Sequence, residues 1–146
     1  MIKVLLADDH ILVRDALCYL LEAQGDIKIV ATAADGVEAV EQAMNLCPDI
    51  AILDISMPRM DGIEAARQIC KLCSRTRIVM LTIYHTEEHV RHAVQAGASG
   101  FVLKDAAGQE LVAAVRALHQ GGSYFSSKVG GRIDHKKIQP GKNIVE

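Results

Sequence analysis

Five polar side chains follow four separate apolar runs of this chain, and their chemical types suit a metal ion and a phosphoryl group. Asp8 and Asp9 follow the first run, while Asp54, Thr82 and Lys104 follow three later ones. Carboxylates bind hard divalent cations such as Mg²⁺, which in turn bond phosphate oxygens. A lysine is a flexible point charge, and a threonine hydroxyl can donate one hydrogen bond. The set predicts a site for a cation and a phosphoryl group, provided that the fold brings these residues together.

Short apolar runs alternate with stretches of helical period through the first 126 residues. The runs predict strands at Lys3–Ala7, Ile27–Ala33, Ile50–Leu53, Arg77–Leu81 and Gly100–Leu103. Apolar stripes between them predict helices, such as Val13, Leu17 and Leu20 in the first and Val37, Val40 and Met44 in the second.

This alternation predicts an α/β fold, a flavodoxin-like (βα)5 three-layer sandwich whose parallel sheet has the order 2-1-3-4-5. All strands of a parallel sheet end at the same edge, and the topological switch point of this order lies between the first and third strands. Asp8, Asp9 and Asp54 are therefore expected to meet there. Three carboxylates in one place repel each other unless a cation neutralises them.

Each of these residues also has an ordinary explanation when it is taken alone. Asp8 and Asp9 could cap a helix, Thr82 could end a strand, and Lys104 could be a solvated surface residue. The interpretation as a site depends on their joint placement at the ends of strands one, three, four and five.

Composition and charge argue against several classes of protein. The chain has 146 residues, a formal net charge of −2, 3% aromatic residues and no tryptophan. These values do not favour a basic nucleic-acid-binding surface or aromatic base-stacking platforms. No run approaches the roughly 20 apolar residues that span a bilayer. The apolar start of the chain runs directly into Asp8 and Asp9, unlike a signal peptide, so we expect a cytoplasmic protein without membrane contact.

The cysteines and histidines give weaker signals. Cys70 and Cys73 have the C-x-x-C spacing, but no thioredoxin-like context accompanies them, so we interpret the four dispersed cysteines as ordinary reduced residues. Four histidines, His10, His85, His89 and His92, could be metal ligands, and the last three have helical spacing. We do not expect a transition-metal site, because no cysteine or carboxylate cluster completes one.

Taken together, the motifs resemble the receiver domain of two-component response regulators over residues 1–126. The matching segments are Asp8-Asp9, residues 54–62 (DISMPRMDG), Leu81-Thr82 and Leu103-Lys104. Segments 7–10, 97–106 and 121–124 are similar to the NarL/FixJ branch, whose members usually carry a LuxR-type helix-turn-helix after the receiver.

Residues 127–146 have no sustained apolar period, and we interpret them as a linker or flexible tail. They are too few for a helix-turn-helix unit, so the output domain is expected to be absent from this chain, which would contact DNA only through such a domain. A stand-alone receiver is the alternative.

The resemblance implies that Asp54 accepts a phosphoryl group from a sensor histidine kinase. Asp9, Asp54 and the backbone carbonyl of Ser56 would bind Mg²⁺ or Mn²⁺ directly, and Asp8 would act through a metal-bound water. A receiver catalyses only its own phosphorylation and slow dephosphorylation, so turnover of other substrates is not expected.

The resemblance also assigns the residues that report the phosphorylated state. Thr82 and Lys104 would bind phosphoryl oxygens, and Phe101 would move into the space that Thr82 leaves. Ser56 and Tyr84 would tune the lifetime of the acyl phosphate, with the bulky Tyr84 prolonging it. Homodimerisation on phosphorylation is the expected output.

Two other classes of protein remain possible at this stage. A phosphohydrolase with an aspartyl nucleophile needs a D-x-D motif, but Ser56 occupies the second aspartate position. A flavodoxin needs a hydroxyl-rich phosphate loop after the first strand, where this chain has Asp8 and Asp9.

Overall fold

The computed structural model describes residues 1–83 and 86–126, and in this part of the chain six strands form one parallel sheet. The strands are β1 (Ile2–Ala7), β2 (Ile27–Ala33), β3 (Ile50–Asp54), β4 (Arg77–Thr82), β5 (Gly100–Leu103) and β6 (Tyr124–Phe125). The helices are α1 (Ile11–Glu22), α2 (Gly36–Leu46), α3 (Gly62–Leu72), α4 (Glu87–Gln95) and α5 (Ala107–His119). A short 3₁₀ turn at Lys104–Ala106 precedes α5.

The strand order is β2-β1-β3-β4-β5-β6, which confirms the predicted 2-1-3-4-5 order and adds one edge strand. All neighbouring pairs are parallel. The strands therefore end together at one edge, which we call the carboxyl edge, and begin together at the opposite amino edge. The sixth strand was not predicted, because its two residues are too few to show a strand period.

Helices cover both faces of the sheet, because successive strand residues point to opposite sides. In β1, Val4 and Leu6 pack in a cluster with residues of α1 and α5. Leu5 and Ala7 pack in a second cluster with residues of α2, α3 and α4. This double coverage explains why the strands are continuous apolar runs without alternation.

The predicted apolar stripes of the first two helices are partly wrong. Val13 is 37% exposed and Met44 is 54% exposed, whereas α1 buries Leu17 and Leu21 and α2 buries Ala43. Alanine carries little weight in an apolar pattern, yet its small side chain lets a helix pack close to the sheet. The larger Met44 lies on the outward side of α2.

Side-chain caps fix the starts of three helices. Asp35 accepts a hydrogen bond from the Glu38 amide at the start of α2, and Asp61 caps α3 in the same way. Thr86 caps α4 by accepting from the His89 amide. At α5 a 3₁₀ turn over Lys104–Ala106 comes first, and the helix itself begins at Ala107.

Ser126 ties the end of the described chain to β5. Its amide donates to the Phe101 carbonyl at 2.9 Å, and its hydroxyl accepts from the Leu103 amide at 3.1 Å and donates to Glu110 at 2.6 Å. The predicted tail at 127–146 lies outside the described residues, and the predicted boundary stays a prediction. In the part of the chain that the structure covers, no helix combines the length and apolar character needed to cross a membrane.

Candidate functional site at the carboxyl edge

The carboxyl edge brings two buried carboxylates and one lysine into direct contact. The Lys104 ammonium lies 2.8 Å from Asp54 Oδ2 and 3.0 Å from Asp8 Oδ2. Asp54 ends β3, Asp8 follows β1, and Lys104 follows β5, so the strand order itself assembles the trio. Asp8 is completely buried and Asp54 is 3% exposed. When one partner of such a buried ion pair is removed, the folded protein is strongly destabilised, because the remaining charge is left buried without compensation.

Burial raises the pKa of the Asp54 carboxyl above its ordinary value, and the negative charge of Asp8 acts in the same direction. The hydrogen bond and positive charge of Lys104 oppose this rise without cancelling it. For Lys104, burial lowers the pKa, but the hydrogen bonds to Asp54 and Asp8 outweigh burial and leave the pKa raised. Lys104 therefore stays an ammonium ion at neutral pH, whereas the fold disfavours the charge of Asp54.

Four potential metal ligands cluster at this site, two of them the carboxylates of the trio. One ligand atom each from Asp8, Asp9, His10 and Asp54 lies within 4.8 Å of the others. Asp8 Oδ2 is buried and accepts no hydrogen bond from any described residue, although the Lys104 ammonium is nearby. A buried carboxylate oxygen of this kind has room for one more positive partner. The donor set therefore fits a hard divalent cation.

Asp8 also takes part in a local turn. Its Oδ1 accepts from the His10 amide at 2.8 Å, just before α1 begins. Asp8 is therefore not the cap of α1, because His10 occupies the N-cap position and no side chain caps this helix; the Asp8 carboxylate instead closes the turn before it. It does not compete with the site, because the other oxygen remains directed at Lys104.

A pocket of about 330 Å³ opens above Asp54. Its lining residues are Asp9, His10, Asp54, Ser56, Ile83 and Lys104. The Ser56 amide donates to Asp54 Oδ1 at 3.1 Å, so both carboxylate oxygens of Asp54 have a donor. This arrangement fixes the plane of the carboxylate at the base of the pocket.

The loop after Asp54 is packed against the backbone of this residue. The Gly62 amide donates to the Ile55 carbonyl at 2.8 Å, and a Cβ at Gly62 would lie 2.1 Å from the Asp54 carbonyl oxygen. Gly62 is therefore needed for this close backbone approach. Arg59, with a φ of 65°, contacts the Asp35 carboxylate at 2.9 and 3.2 Å and ties the loop to the start of α2.

Thr82 and Phe101 lie behind the pocket. Thr82 is the last residue of β4, is 1% exposed, and pairs with Leu103 on β5. Phe101 is fully buried beside Met80, on the face of the sheet that Thr82 shares by alternation. Tyr84, predicted to tune the lifetime of an acyl phosphate, lies outside the described residues.

Three residues of the site were not predicted. His10 places Nδ1 3.1 Å from the Lys104 ammonium, and Arg14 donates to the Asp8 carbonyl at 3.0 Å. Ile83 lines the pocket. The position of His10 directly after Asp9 was an available signal. The role of Arg14, one helical turn later, depends on the path of α1 and could not be read from spacing alone.

Residues 4–116 match the family described as response regulator receiver domain. The chain belongs to this family. The receiver resemblance of the sequence motifs is thereby confirmed, and the match favours it over the phosphohydrolase and flavodoxin alternatives.

Comparison with relatives and solved structures identifies the branch of the receiver family that this chain resembles. The chain is 40% identical over 128 residues to the oxygen regulatory protein NreC of Staphylococcus epidermidis, covering 87% of this chain and 59% of that protein. NreC of Staphylococcus carnosus gives the same values. The chain thus spans about three fifths of the length of these curated relatives.

Two solved structures agree with this placement. A LuxR-family two-component response regulator from Aurantimonas has a TM-score of 0.86 at 34% identity, with 90% of this chain and 94% of that chain covered. The receiver domain of the putative response regulator NarL from Mycobacterium tuberculosis has a TM-score of 0.79 at 35% identity, with 82% and 97% covered. The chain is therefore a receiver domain of the LuxR-family type, as predicted from its motifs.

Proposed function

We propose that Asp54 accepts a phosphoryl group from a sensor histidine kinase, and that this event switches the receiver between two states. The observation that carries the proposal is the buried Asp54 carboxylate, held between the Lys104 ammonium at 2.8 Å and the Ser56 amide at 3.1 Å at the base of an open pocket. Two hydrogen bonds orient this carboxylate, and the pocket opens on one side of it. Burial raises its pKa, so the ionised form is less favourable than in water.

In the transfer step, one Asp54 oxygen forms a bond to phosphorus while the bond from phosphorus to the imidazole nitrogen of the kinase breaks. The product is an acyl phosphate, and the imidazole leaves with the electron pair of the broken bond. Such a transfer depends mainly on alignment and charge stabilisation. Ser56 and Lys104 supply the alignment, and Lys104 can pair with a phosphoryl oxygen once Asp54 has lost its charge.

Asp9, Asp54 and the Ser56 carbonyl would hold Mg²⁺ or Mn²⁺ directly, with Asp8 acting through a bound water. When bound, the cation neutralises carboxylate charge and attracts phosphoryl oxygens. The buried and unsatisfied Asp8 Oδ2 supports this assignment. His10, close to both Asp8 and Asp9, adds a neighbour that the sequence interpretation did not include.

Thr82 and Phe101 would transmit the conformational change that follows phosphorylation. A phosphoryl group adds roughly −1.5 to −2 charges and three acceptor oxygens, to which the Thr82 hydroxyl would be drawn. Phe101 would then repack in the space behind Thr82. The shared sheet face of these two residues supports the route. Ser56 and Tyr84 would set how long the phosphorylated state lasts.

The output would be homodimerisation and, through a LuxR-type domain beyond this chain, control of transcription. The receiver spans 59% of the length of its NreC relatives, which leaves room in such proteins for a further domain. A cytoplasmic location belongs to the same proposal.

Incubation with acetyl phosphate and Mg²⁺, followed by intact mass measurement, tests the acceptor. We expect a gain of about 80 Da, one phosphoryl group, in the wild type and no gain in Asp54→Asn. Asp61→Asn is the matched control, because Asp61 lies on the same loop but caps α3 from an exposed position. A phosphorylated Asp54→Asn protein, or an unmodified wild type, would overturn the assignment.

Phe101→Leu tests the switch. This variant should take up the phosphoryl group at the wild-type level and lose at least half of the phosphorylation-dependent dimer measured by light scattering. Normal dimerisation would show that Phe101 is only a core residue.

A further inference from the structure

Two thiols from different helices meet at the amino edge, away from the phosphorylation site. Cys47 follows the last residue of α2, and Cys73 follows the last residue of α3. Their sulfur atoms lie 3.0 Å apart, although 26 positions separate them in sequence. Both are free thiols in the structure.

Backbone and side-chain hydrogen bonds hold this thiol pair in place. The Cys47 amide donates to the Ala43 carbonyl at 2.7 Å, and Cys47 adopts a left-handed φ of 41°. The Cys73 amide donates to the Ile69 carbonyl at 2.7 Å, and the Cys73 thiol donates to the Ala43 carbonyl at 3.2 Å. The proximity of the sulfurs therefore follows from the ends of two packed helices, and no long flexible segment has to close.

The C-x-x-C spacing gives Cys73 a sequence neighbour at Cys70, although we interpreted both as ordinary reduced residues. Cys70 lies one turn earlier on α3, and its sulfur is 3.9 Å from the Gly97 carbonyl. Cys73 instead faces Cys47. The contact between Cys47 and Cys73 therefore follows from the packing of α2 and α3 and not from the C-x-x-C spacing.

The two thiols differ in access to solvent. Cys47 is exposed, whereas Cys73 is 5% exposed. Burial raises the pKa of the Cys73 thiol to about 11, with a further contribution from the neighbouring Cys47. An oxidant from solvent therefore reaches Cys47 first, because Cys47 is the exposed thiol. Cys73 lies next to it and stays protonated at neutral pH, because its pKa is raised.

We propose that Cys47 and Cys73 form a reversible redox site, which hydrogen peroxide converts into an intramolecular disulfide. The Cys47 thiol releases its proton, the resulting thiolate attacks one peroxide oxygen, and the oxygen–oxygen bond breaks to give a sulfenic acid. The departing hydroxide takes the released proton and leaves as one water. The Cys73 sulfur then attacks the Cys47 sulfur and displaces hydroxide, which takes the Cys73 proton and leaves as a second water. Two thiols lose two electrons, and one peroxide becomes two waters.

The disulfide would enclose a loop that contains β3, the acceptor Asp54 and the packed loop up to Gly62. Closing this loop restricts the unfolded chain more than the folded one. Oxidation should therefore raise the resistance of the domain to urea. Phosphorylation should continue, because the thiol pair lies at the edge of the sheet opposite Asp54.

The test is intact mass and non-reducing peptide mapping of the full chain after treatment with hydrogen peroxide. We expect a loss of about 2 Da, two hydrogen atoms, a peptide pair joined at Cys47 and Cys73, and reversal by dithiothreitol. Cys47→Ser, a change at an exposed position, should abolish the mass loss. Cys70→Ser is the matched control, because it removes the neighbouring α3 thiol and should leave the disulfide intact.

Two further measurements decide whether the site is reversible and internal. The urea midpoint of the oxidised wild type should rise and return after reduction, and that of oxidised Cys47→Ser should not change. Persistence of the mass loss in Cys47→Ser, a Cys70–Cys73 or intermolecular disulfide, or stable addition of oxygen atoms to Cys47 without a crosslink would each overturn the proposal.

Discussion

The two edges of the sheet bury polar groups of different kinds. At the carboxyl edge, Asp8, Asp54 and Lys104 are charged, crowded and incompletely hydrogen-bonded. At the amino edge, buried polar groups are neutral and satisfied: the Thr76 hydroxyl donates to the Pro48 carbonyl at 2.6 Å, and the Arg77 amide donates to the Asp49 carbonyl at 3.0 Å. One scaffold therefore carries one edge with charged buried groups and one edge whose buried hydrogen-bonding groups are neutral.

The difference shows that the carboxyl edge, which carries the proposed acceptor Asp54, lowers the stability of the folded chain. Burial raises the pKa of Asp54, which means that its ionised form is less favourable in the folded chain than in water. A bound cation relieves that unfavourable charge, so cation binding at this edge also favours folding. The hydrogen-bonded groups of Thr76 and Arg77 at the amino edge offer no comparable gain from a bound ion, because their hydrogen bonds are already made.

The largest effect is expected at the lysine that joins the two carboxylates. Lys104→Met should lower the free energy of unfolding by about 3 kcal/mol in metal-free buffer, because Asp8 and Asp54 lose the buried cation between them. Urea unfolding measures the change. Lys71→Met, at an exposed position near the end of α3, is the control and should be neutral. Equal values for the two variants would contradict the view that the carboxyl edge holds mutually dependent charges.

Gly62→Ala should lower the free energy of unfolding by about 2 kcal/mol, since its Cβ would overlap the Asp54 carbonyl oxygen and force the backbone to shift. Phosphorylation by acetyl phosphate should slow at the same time, because the acceptor moves with its backbone. Gly108→Ala has open space around the new Cβ and should be neutral or slightly stabilising. A wild-type phosphorylation rate in Gly62→Ala would show that the loop tolerates displacement.

At the amino edge, Thr76→Val should cost about 1 kcal/mol, because it leaves the Pro48 carbonyl without its hydroxyl donor. Uptake of the phosphoryl group should not change, in contrast to Gly62→Ala. The paired measurement is urea unfolding and phosphorylation rate on the same sample. A slower rate in Thr76→Val would show that the edges are coupled through β4.

The smallest effect concerns an ion pair at the rim of the carboxyl edge. Hydrogen bonding from the Glu38 amide, and then from Arg59, lowers the pKa of Asp35 below its ordinary 3.8. A depressed carboxyl pKa stabilises the fold above the unfolded value, and this stability is lost as the pH falls through the lower folded value. Asp35→Asn, which preserves a capping side chain, should therefore be less stable than the wild type at pH 7 by less than about 1 kcal/mol.

Below the folded pKa of Asp35 this difference should vanish, which urea unfolding at a series of pH values can follow. Asp61→Asn is the control, because Asp61 makes the same cap on α3 and has no ion pair within the described residues. A difference that grows as the pH falls would have the wrong sign for this explanation.

Much of the fold followed from the sequence, because both faces of the sheet are covered and each strand is a continuous apolar run. The strand order then placed Asp8, Asp54 and Lys104 together, as expected from the carboxyl edge of a parallel sheet. Helix faces were harder. In α2, alanines face the core and Met44 faces outward, so side-chain size gave a misleading stripe.

Contacts set by packing were not predictable. The Cys47–Cys73 approach needs the crossing of two helices, and the Arg14 contact with the Asp8 carbonyl needs the direction of α1. Neither leaves a fixed spacing in the chain. His10 is the exception, since it adjoins Asp9 and could have been included on proximity alone.

The three hydrogen bonds of Ser126 have a mechanical consequence. β6 runs parallel to β5, so the chain reaches Ser126 at the carboxyl edge, beside the residues that precede Lys104. A force applied at Ser126 along the axis of β6 would load the bonds to Phe101, Leu103 and Glu110 together, in shear. Bonds loaded in shear resist as a group, whereas bonds that are peeled break one at a time. Displacement of β5 would therefore move Ser126 with it.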